Sequence, residues 1–184
     1  EVRPYGITSV GVGRGALEFL EDTVSISDLK KHPAFPGSLG RLYALSHTSS
    51  SRSNFIRTLA GYSLMSYVLL IKDRHNANIL LHRDGRIIHI DFGYVLGDVP
   101  KMGKIPIFSE RAPFKLTREA WDVVTLNGRD PGGAEEFVRL FDDGFRRLAA
   151  EADSLCAIVE SGLIAIYGDT MPGRKRAAAA AGGV

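Results

Sequence analysis

The sequence predicts an α+β fold, mostly helical, with small β-hairpins. Three observations lead there. Asn54 to Leu70 carries Phe55, Leu59, Tyr62 and Leu69 at helical spacing, with Ile56, Met65 and Val68 widening the apolar face. Residues 134 to 160 repeat the pattern through Phe137, Leu140, Phe141, Phe145, Leu148, Leu155 and Val159. Between these stretches, Asp84-Gly85 separates Ile79-Leu80-Leu81 from Ile87-Ile88-His89-Ile90, a strong hairpin signal.

The remaining elements follow in order. Tyr5 to Leu20 alternates apolar runs with glycines, which reads as two strands around a glycine turn or as a strand followed by a helix. Thr23 to Lys31 reads as a strand end and a short helix capped by Ser27. Residues 32 to 37 form a loop, and the polar run from Ser46 to Ser53 is expected to be a mobile one. A helix as apolar as 54 to 70 should be largely buried. Residues 93 to 116 lack a period and hold Pro100, Pro106 and Pro113; a long irregular segment inside a compact domain is usually functional or disordered. Thr117 should cap a helix to about Leu126, with Glu119 in its first turn. Asp130-Pro131-Gly132-Gly133 breaks the chain before the helix at 134 to 160, which Gly144 weakens. The chain thus divides into a domain over 1 to 165 and a low-complexity tail over 166 to 184.

Composition narrows the function. With 23 Lys and Arg against 21 Asp and Glu, the net charge is +2, and 45% of residues are hydrophobic. That argues against a disordered chain and against a strongly basic nucleic-acid binder. One cysteine, Cys156, excludes an internal disulfide and a multi-cysteine zinc site. The apolar stretch Tyr62 to Ile71 is too short to span a bilayer. The first residues carry neither an initiator Met nor a signal-peptide core, so a fragment is expected.

The chemistry concentrates between Lys72 and Gly93. Phosphoryl transfer from ATP needs a group to orient the attacking hydroxyl, oxygen ligands for magnesium and positive charge for the transition state. A carboxylate with an amide carbonyl suits Mg²⁺, and Asp91 and Asn78 provide that pair at the two ends of the hairpin. In the protein-kinase signature, H-R-D-L-x-x-x-N followed by D-F-G, the Asp precedes the Asn by five positions. Here Asp73 precedes Asn78 by five and Asp91-Phe92-Gly93 follows, but the triplet is reversed to Asp73-Arg74-His75. His75 is therefore a second candidate beside the hydroxyl, since imidazoles titrate near neutrality. The plain alternative is that Asp73 caps a turn, Asn78 closes it and Asp91 ends a strand.

Two other patterns carry less. Gly11 to Ala16 fits G-x-G-x-x-A, the dinucleotide fingerprint, but no acid lies at the end of a following second strand, so a tight glycine turn is the better reading. His75, His82 and His89 recur every seven residues without a helix to align them, which makes a zinc site a poor fit. His89, between Ile88 and Ile90, reads as structural.

Asp73 to Gly93, DRHNANILLHRDGRIIHIDFG, closely resembles the catalytic core of phosphatidylinositol 3- and 4-kinases. The resemblance extends upstream to Tyr5 and downstream through Ala112-Pro113-Phe114-Lys115-Leu116-Thr117. It covers about residues 5 to 125 well and fades beyond. Lys72, Asn76 to Asn78 and the 112 to 117 segment are most similar to type III beta 4-kinases. The resemblance implies the mostly helical C-terminal lobe of a protein-kinase-like fold, with small β-hairpins at the catalytic cleft. It implies ATP and Mg²⁺, with Asn78 and Asp91 on the metal and nucleotide, Asp73 and His75 acting on the inositol hydroxyl, and Leu80 and Ile90 under the adenine. It makes 91 to 117 an activation loop whose Lys101, Lys104, Arg111 and Lys115 read the lipid head group. Those dispersed cations suit phosphatidylinositol itself better than a polyphosphorylated ring.

The expected function is a phosphatidylinositol 4-kinase, acting peripherally on cytosolic membrane faces, the Golgi among them by resemblance. A phosphate-covering loop and its lysine are not found, so an N-terminal lobe is the expected missing partner and the isolated chain should be poorly active. The alternatives are a 3-kinase, which Phe92 to Gly97 resembles, or a non-catalytic binding module. A related protein kinase ranks lower because Tyr94 stands where an acid is usual.

Overall fold

A computed structural model describes residues 1–46, 48–97, 101–102, 105–106 and 112–167. They fall into two compact units, Glu1–Gly144 and one beginning at Phe145. The first unit carries every candidate residue.

Its N-terminal stretch is a hairpin, β1 (Ile7–Gly11) and β2 (Arg14–Leu17), paired antiparallel. Of the two sequence readings, the strand pair around glycines is the observed one. Residues 18 to 20 leave it as irregular chain rather than as a helix. Every residue of both strands is exposed. The chain then forms β3 (Thr23–Ser25) and α1 (Ile26–Lys31). The cap is Ser25, not Ser27: the Asp28 amide donates to Ser25 Oγ at 3.0 Å. The helix starts two residues earlier than expected, with Ile26 supplying its buried contact.

Within the polar run at 46 to 53, Ser46 and residues 49 to 53 are helical rather than loop. α2 (Leu39–Ser46), which no local signal announced, precedes α3 (Ser49–Val68). Thr48 caps α3, its hydroxyl accepting from the Ser51 amide at 3.2 Å. Arg52 anchors the serine-rich first turn by donating to the Val123 and Val124 carbonyls. Tertiary anchoring outweighs the weak helix propensity of serine. The middle of α3 is buried almost all round, including Phe55, Ile56, Tyr62 and the polar Thr58, Ser63 and Ser66. That agrees with the burial its apolar face predicts.

The expected hairpin is β4 (Ile79–His82) and β5 (Ile87–His89), in register at Leu80 and Ile88. β3 adds to it, so the sheet order is β3-β4-β5. β3 is the strand end expected at Thr23; its pairing with β4 was not legible, because strands this short carry no alternation of their own. The hairpin is tied to the helices at its turn. Tyr43 donates to the Gly85 carbonyl at 2.7 Å, and Asn54 to the Asp84 carbonyl at 3.1 Å. Gly85 has φ +89 and packs so closely that a Cβ would overlap the Ser51 backbone. The Ile87 amide at the sheet edge donates to Thr58 Oγ1 at 3.1 Å. Ile88 is fully buried.

After two short strands, β6 (Lys101–Met102) and β7 (Ile105–Pro106), comes α4 (Arg118–Val124), capped by Thr117 as predicted. α5 (Pro131–Ala150) begins at the proline rather than at 134. Proline fits the first helical position, and the Asp130 carboxylate accepts from the Gly132 amide at 2.9 Å. The long helix expected to 160 is two. In the second unit, the Glu151 amide is shared between the Arg147 and Leu148 carbonyls, a tightened turn. α6 (Ala152–Tyr167) follows. The tail beyond 167 lies outside the described residues.

Candidate active site

The segment from Lys72 to Asn78 has no regular structure until a 3₁₀ turn at Asn76–Asn78. Two of its side chains hold it in shape. Asn78, 6% exposed, donates from Nδ2 to the Asp73 carbonyl at 3.0 Å. The His75 amide donates to the same oxygen at 3.1 Å. Arg74, 2% exposed, donates to three carbonyls: Lys72 at 3.0 Å, Ile90 at 2.6 Å, and Asp91. Its guanidinium also lies over the Phe92 ring, 5.2 Å from the centroid. One side chain thus binds the start of the D-R-H segment to the backbone leading into D-F-G.

These ties matter because the backbone they hold is strained. Asp73 and Asp91 both adopt left-handed conformations, with φ 60 and 58. Such a residue costs roughly 1–2 kcal/mol, less for Asp than for bulkier types. Each strained carbonyl is gripped by a buried side chain, Asp73 by Asn78 and Asp91 by Arg74.

His75 and Asp73 come together, Nε2 to Oδ2 at 4.0 Å, both about half exposed. Leu80, Ile90 and Asp91 line one cleft of about 630 Å³ together with Tyr5, Phe19 and Leu20. Burial pushes the Tyr5 phenol up from its ordinary pKa, with Arg74 opposing and Asp91 adding to the rise. The head-group candidates are not assembled among the described residues. Lys101 lies on β6, Lys115 is exposed, and Lys104 and Arg111 lie outside the described residues.

The three evenly spaced histidines occupy separate surroundings. His75 is exposed beside Asp73. His82 pairs with Asp84 at 2.7 Å. His89 is buried and stacked on Tyr62 with centroids 4.3 Å apart. Burial, and secondarily Arg74, drives His89 down to about 3.

The donor set fits magnesium. Asn78 offers an amide oxygen and Asp91 a carboxylate, both hard ligands. Among the described residues, no group of three or more His, Cys, Asp or Glu could cage an ion. Two protein ligands suit a cation that keeps water and phosphate oxygens as its remaining partners.

Two residues with structural roles here had no such role in the sequence reading. Arg74 stood in the triplet, but its partners are carbonyls, which every residue has, so no pattern announces them. Lys72 donates from its backbone to the Tyr94 carbonyl and from Nζ to the Ala112 carbonyl, each at 3.0 Å. It ties together the two ends of the irregular segment.

The family model described as phosphatidylinositol 3- and 4-kinase matches residues 41–163. A phosphatidylinositol 4-kinase of Dictyostelium discoideum is 38% identical over 166 residues, covering 86% of this chain and 14% of that protein. Phosphatidylinositol 4-kinase beta 1 of Arabidopsis thaliana is 36% identical, with 86% and 14% covered. Phosphatidylinositol 4-kinase beta of Sorex araneus is 35% identical, with 86% and 20% covered. The chain therefore spans only 14–20% of the length of these relatives. With two-thirds of its residues inside the family model and its Asp73-to-Gly93 motif built around one buried arginine, the chain belongs to the phosphatidylinositol 3- and 4-kinase family.

Proposed function

We propose that this chain is the hydroxyl-orienting and metal-binding part of a phosphatidylinositol 4-kinase. The enzyme transfers the γ-phosphate of ATP to the 4-hydroxyl of phosphatidylinositol. The observation that carries the reading is the Arg74 clamp, which fixes Asp73 and His75 relative to the backbone of Asp91. The names of the relatives support the 4-hydroxyl.

In this reading Leu80 and Ile90 form the apolar floor under the adenine. Asn78 and Asp91 hold Mg²⁺, which when bound neutralises charge on the phosphates. Asp73 and His75 meet the inositol hydroxyl and take its proton as its oxygen bonds to the γ-phosphorus. The bond to the bridging oxygen breaks and ADP leaves. Little covalent work falls to the protein, so positioning matters most. Lys101, Lys104, Arg111 and Lys115 are assigned by resemblance to the lipid's single phosphate. The lysine and loop that cover the ATP phosphates come from an N-terminal lobe supplied by the rest of a longer protein. The exposed apolar residues Ile7, Leu17 and Phe19 suit contact with such a lobe. The enzyme works on a cytosolic membrane face without spanning it. Among the described residues no helix is long and apolar enough to cross a bilayer.

The test is a kinase domain completed with its N-terminal lobe, given phosphatidylinositol vesicles, Mg²⁺ and labelled ATP. The expected product is the 4-phosphate, lost in Asp91→Ala. A 3-phosphate product, or activity indifferent to Asp91, would overturn the assignment.

A further inference from the structure

A second, much smaller cavity is lined by α1, α2, α3, β5, α4 and part of the D-R-H segment. It offers about 40 Å³ to the centres of water-sized molecules. Ser63 and Ser66 of α3, Ile87 and His89 of β5, and Arg74 and Asn76 contribute to its wall. Two of these residues carry buried polar atoms that find no hydrogen-bond partner among the described residues: Ser66 Oγ and His89 Nδ1. Their side chains are sealed in, with Ser66 2% and His89 6% exposed.

A serine inside a helix can satisfy its hydroxyl on the carbonyl four residues back. Thr58 does this with Asn54 on the same helix, at 2.8 Å. Ser66 does not. An unsatisfied buried polar group costs about 1–3 kcal/mol, and two orphans at one cavity are a large fraction of a domain's stability. Native structures answer such sites with ordered water, which needs roughly 10–15 Å³ and two to four polar partners. The space suffices, and although most of the wall is apolar, the two orphaned polar atoms set this cavity apart from a wholly apolar void that would stay dry.

We propose that this cavity is a hydration site, in which ordered water bridges Ser66 Oγ to His89 Nδ1. The bridge is a third tie between α3 and the strand entering D-F-G. It joins the Thr58–Ile87 hydrogen bond and the Tyr62–His89 stack. It fixes the edge of the imidazole that the stack leaves unheld, two residues before Asp91. The inference stands independently of the kinase reading, because its measurement needs neither ATP nor lipid.

The experiment is water-selective NOE spectroscopy on the isotopically labelled chain. Long-lived water should give negative NOEs to the Ser66 Cβ protons and to the His89 ring protons. In Ser66→Ala the His89 signals should weaken without vanishing, since the space and the imidazole acceptor remain while one of the two polar partners is gone. In Ser66→Val they should vanish as the added methyl groups fill the space. Absence of water NOEs in the unmodified chain would overturn the proposal. So would their loss in Ser66→Ala, which would assign the signal to the serine hydroxyl proton. The alanine variant is mild enough to keep the test decisive if the valine variant does not fold.

Discussion

Asn78 Nδ2 donates to the Asp73 carbonyl at 3.0 Å, holding in place a residue whose φ is 60. The same amide has an oxygen on its other side, so one side chain can both shape the D-R-H turn and ligate a cation. Asn78→Ala removes both functions. We expect about 1–3 kcal/mol lost from thermal unfolding of the chain, and at least about a hundredfold loss of turnover in a complete kinase domain. A stability change with normal turnover would confine Asn78 to the turn.

Asp91 separates chemistry from strain. Asp91→Gly and Asp91→Ala both delete the carboxylate, but only alanine must adopt φ 58 with a Cβ. Both variants should lose Mg²⁺-dependent nucleotide binding in a lobe-complete protein. The glycine variant should melt at the higher temperature, by an amount corresponding to roughly 1 kcal/mol. Equal melting points would show that the left-handed conformation is cost-free here.

Arg74→Lys tests whether a planar fork is required. A lysine keeps the charge but cannot span three carbonyls held in fixed directions. The expected result is a folded protein with turnover down about a hundredfold, from misplacement of order 1 Å. Full activity in the lysine variant would demote the clamp to a charge effect.

Gly85→Ala places a Cβ against the Ser51 backbone at a residue with φ +89. Neither α3 nor the hairpin turn can yield, since Tyr43 and Asn54 pin both. A loss of about 3 kcal/mol or more is expected, read by chemical denaturation.

Asp130 links acid stability to the joint between α4 and α5. The hydrogen bond from Arg52 holds its carboxyl below the usual carboxylate range. A carboxylate depressed in the folded state contributes stability above its unfolded pKa, about 3.9, and loses it as pH falls through the folded value. Asp130→Asn should therefore flatten the fall in melting temperature below about pH 4. An unchanged acid limb would remove Asp130 from the account.

What could be read in advance follows a physical division. The α3 periodicity, the Asp84-Gly85 turn and the Thr117 cap are local signals, and each appears where local rules place it. Asp73, His75, Asn78 and Asp91 were legible because their types and spacing match a chemistry. Missed were features whose cause lies elsewhere in the chain. Ser49 to Ser51 are helical because Arg52 reaches α4. β3 joins the sheet where it does because β4 offers it an edge. Pro131 looked like a breaker because position within a helix, not residue type, decides what proline does. Arg74 is the clearest case, since its burial depends on partners sixteen and seventeen residues away.

The three Arg74 bonds to Lys72, Ile90 and Asp91 end on backbone oxygens, which has a consequence for how this site can drift. Substitution at 72, 90 or 91 changes a side chain but leaves the carbonyl that Arg74 holds. The cleft floor or the residue before the triplet can therefore change, retuning which ligands fit, without renegotiating the joint. The corresponding fragility is concentrated at one position. A change of side chain at 72 or 90 leaves the joint intact, whereas loss of Arg74 breaks all three of these bonds at once.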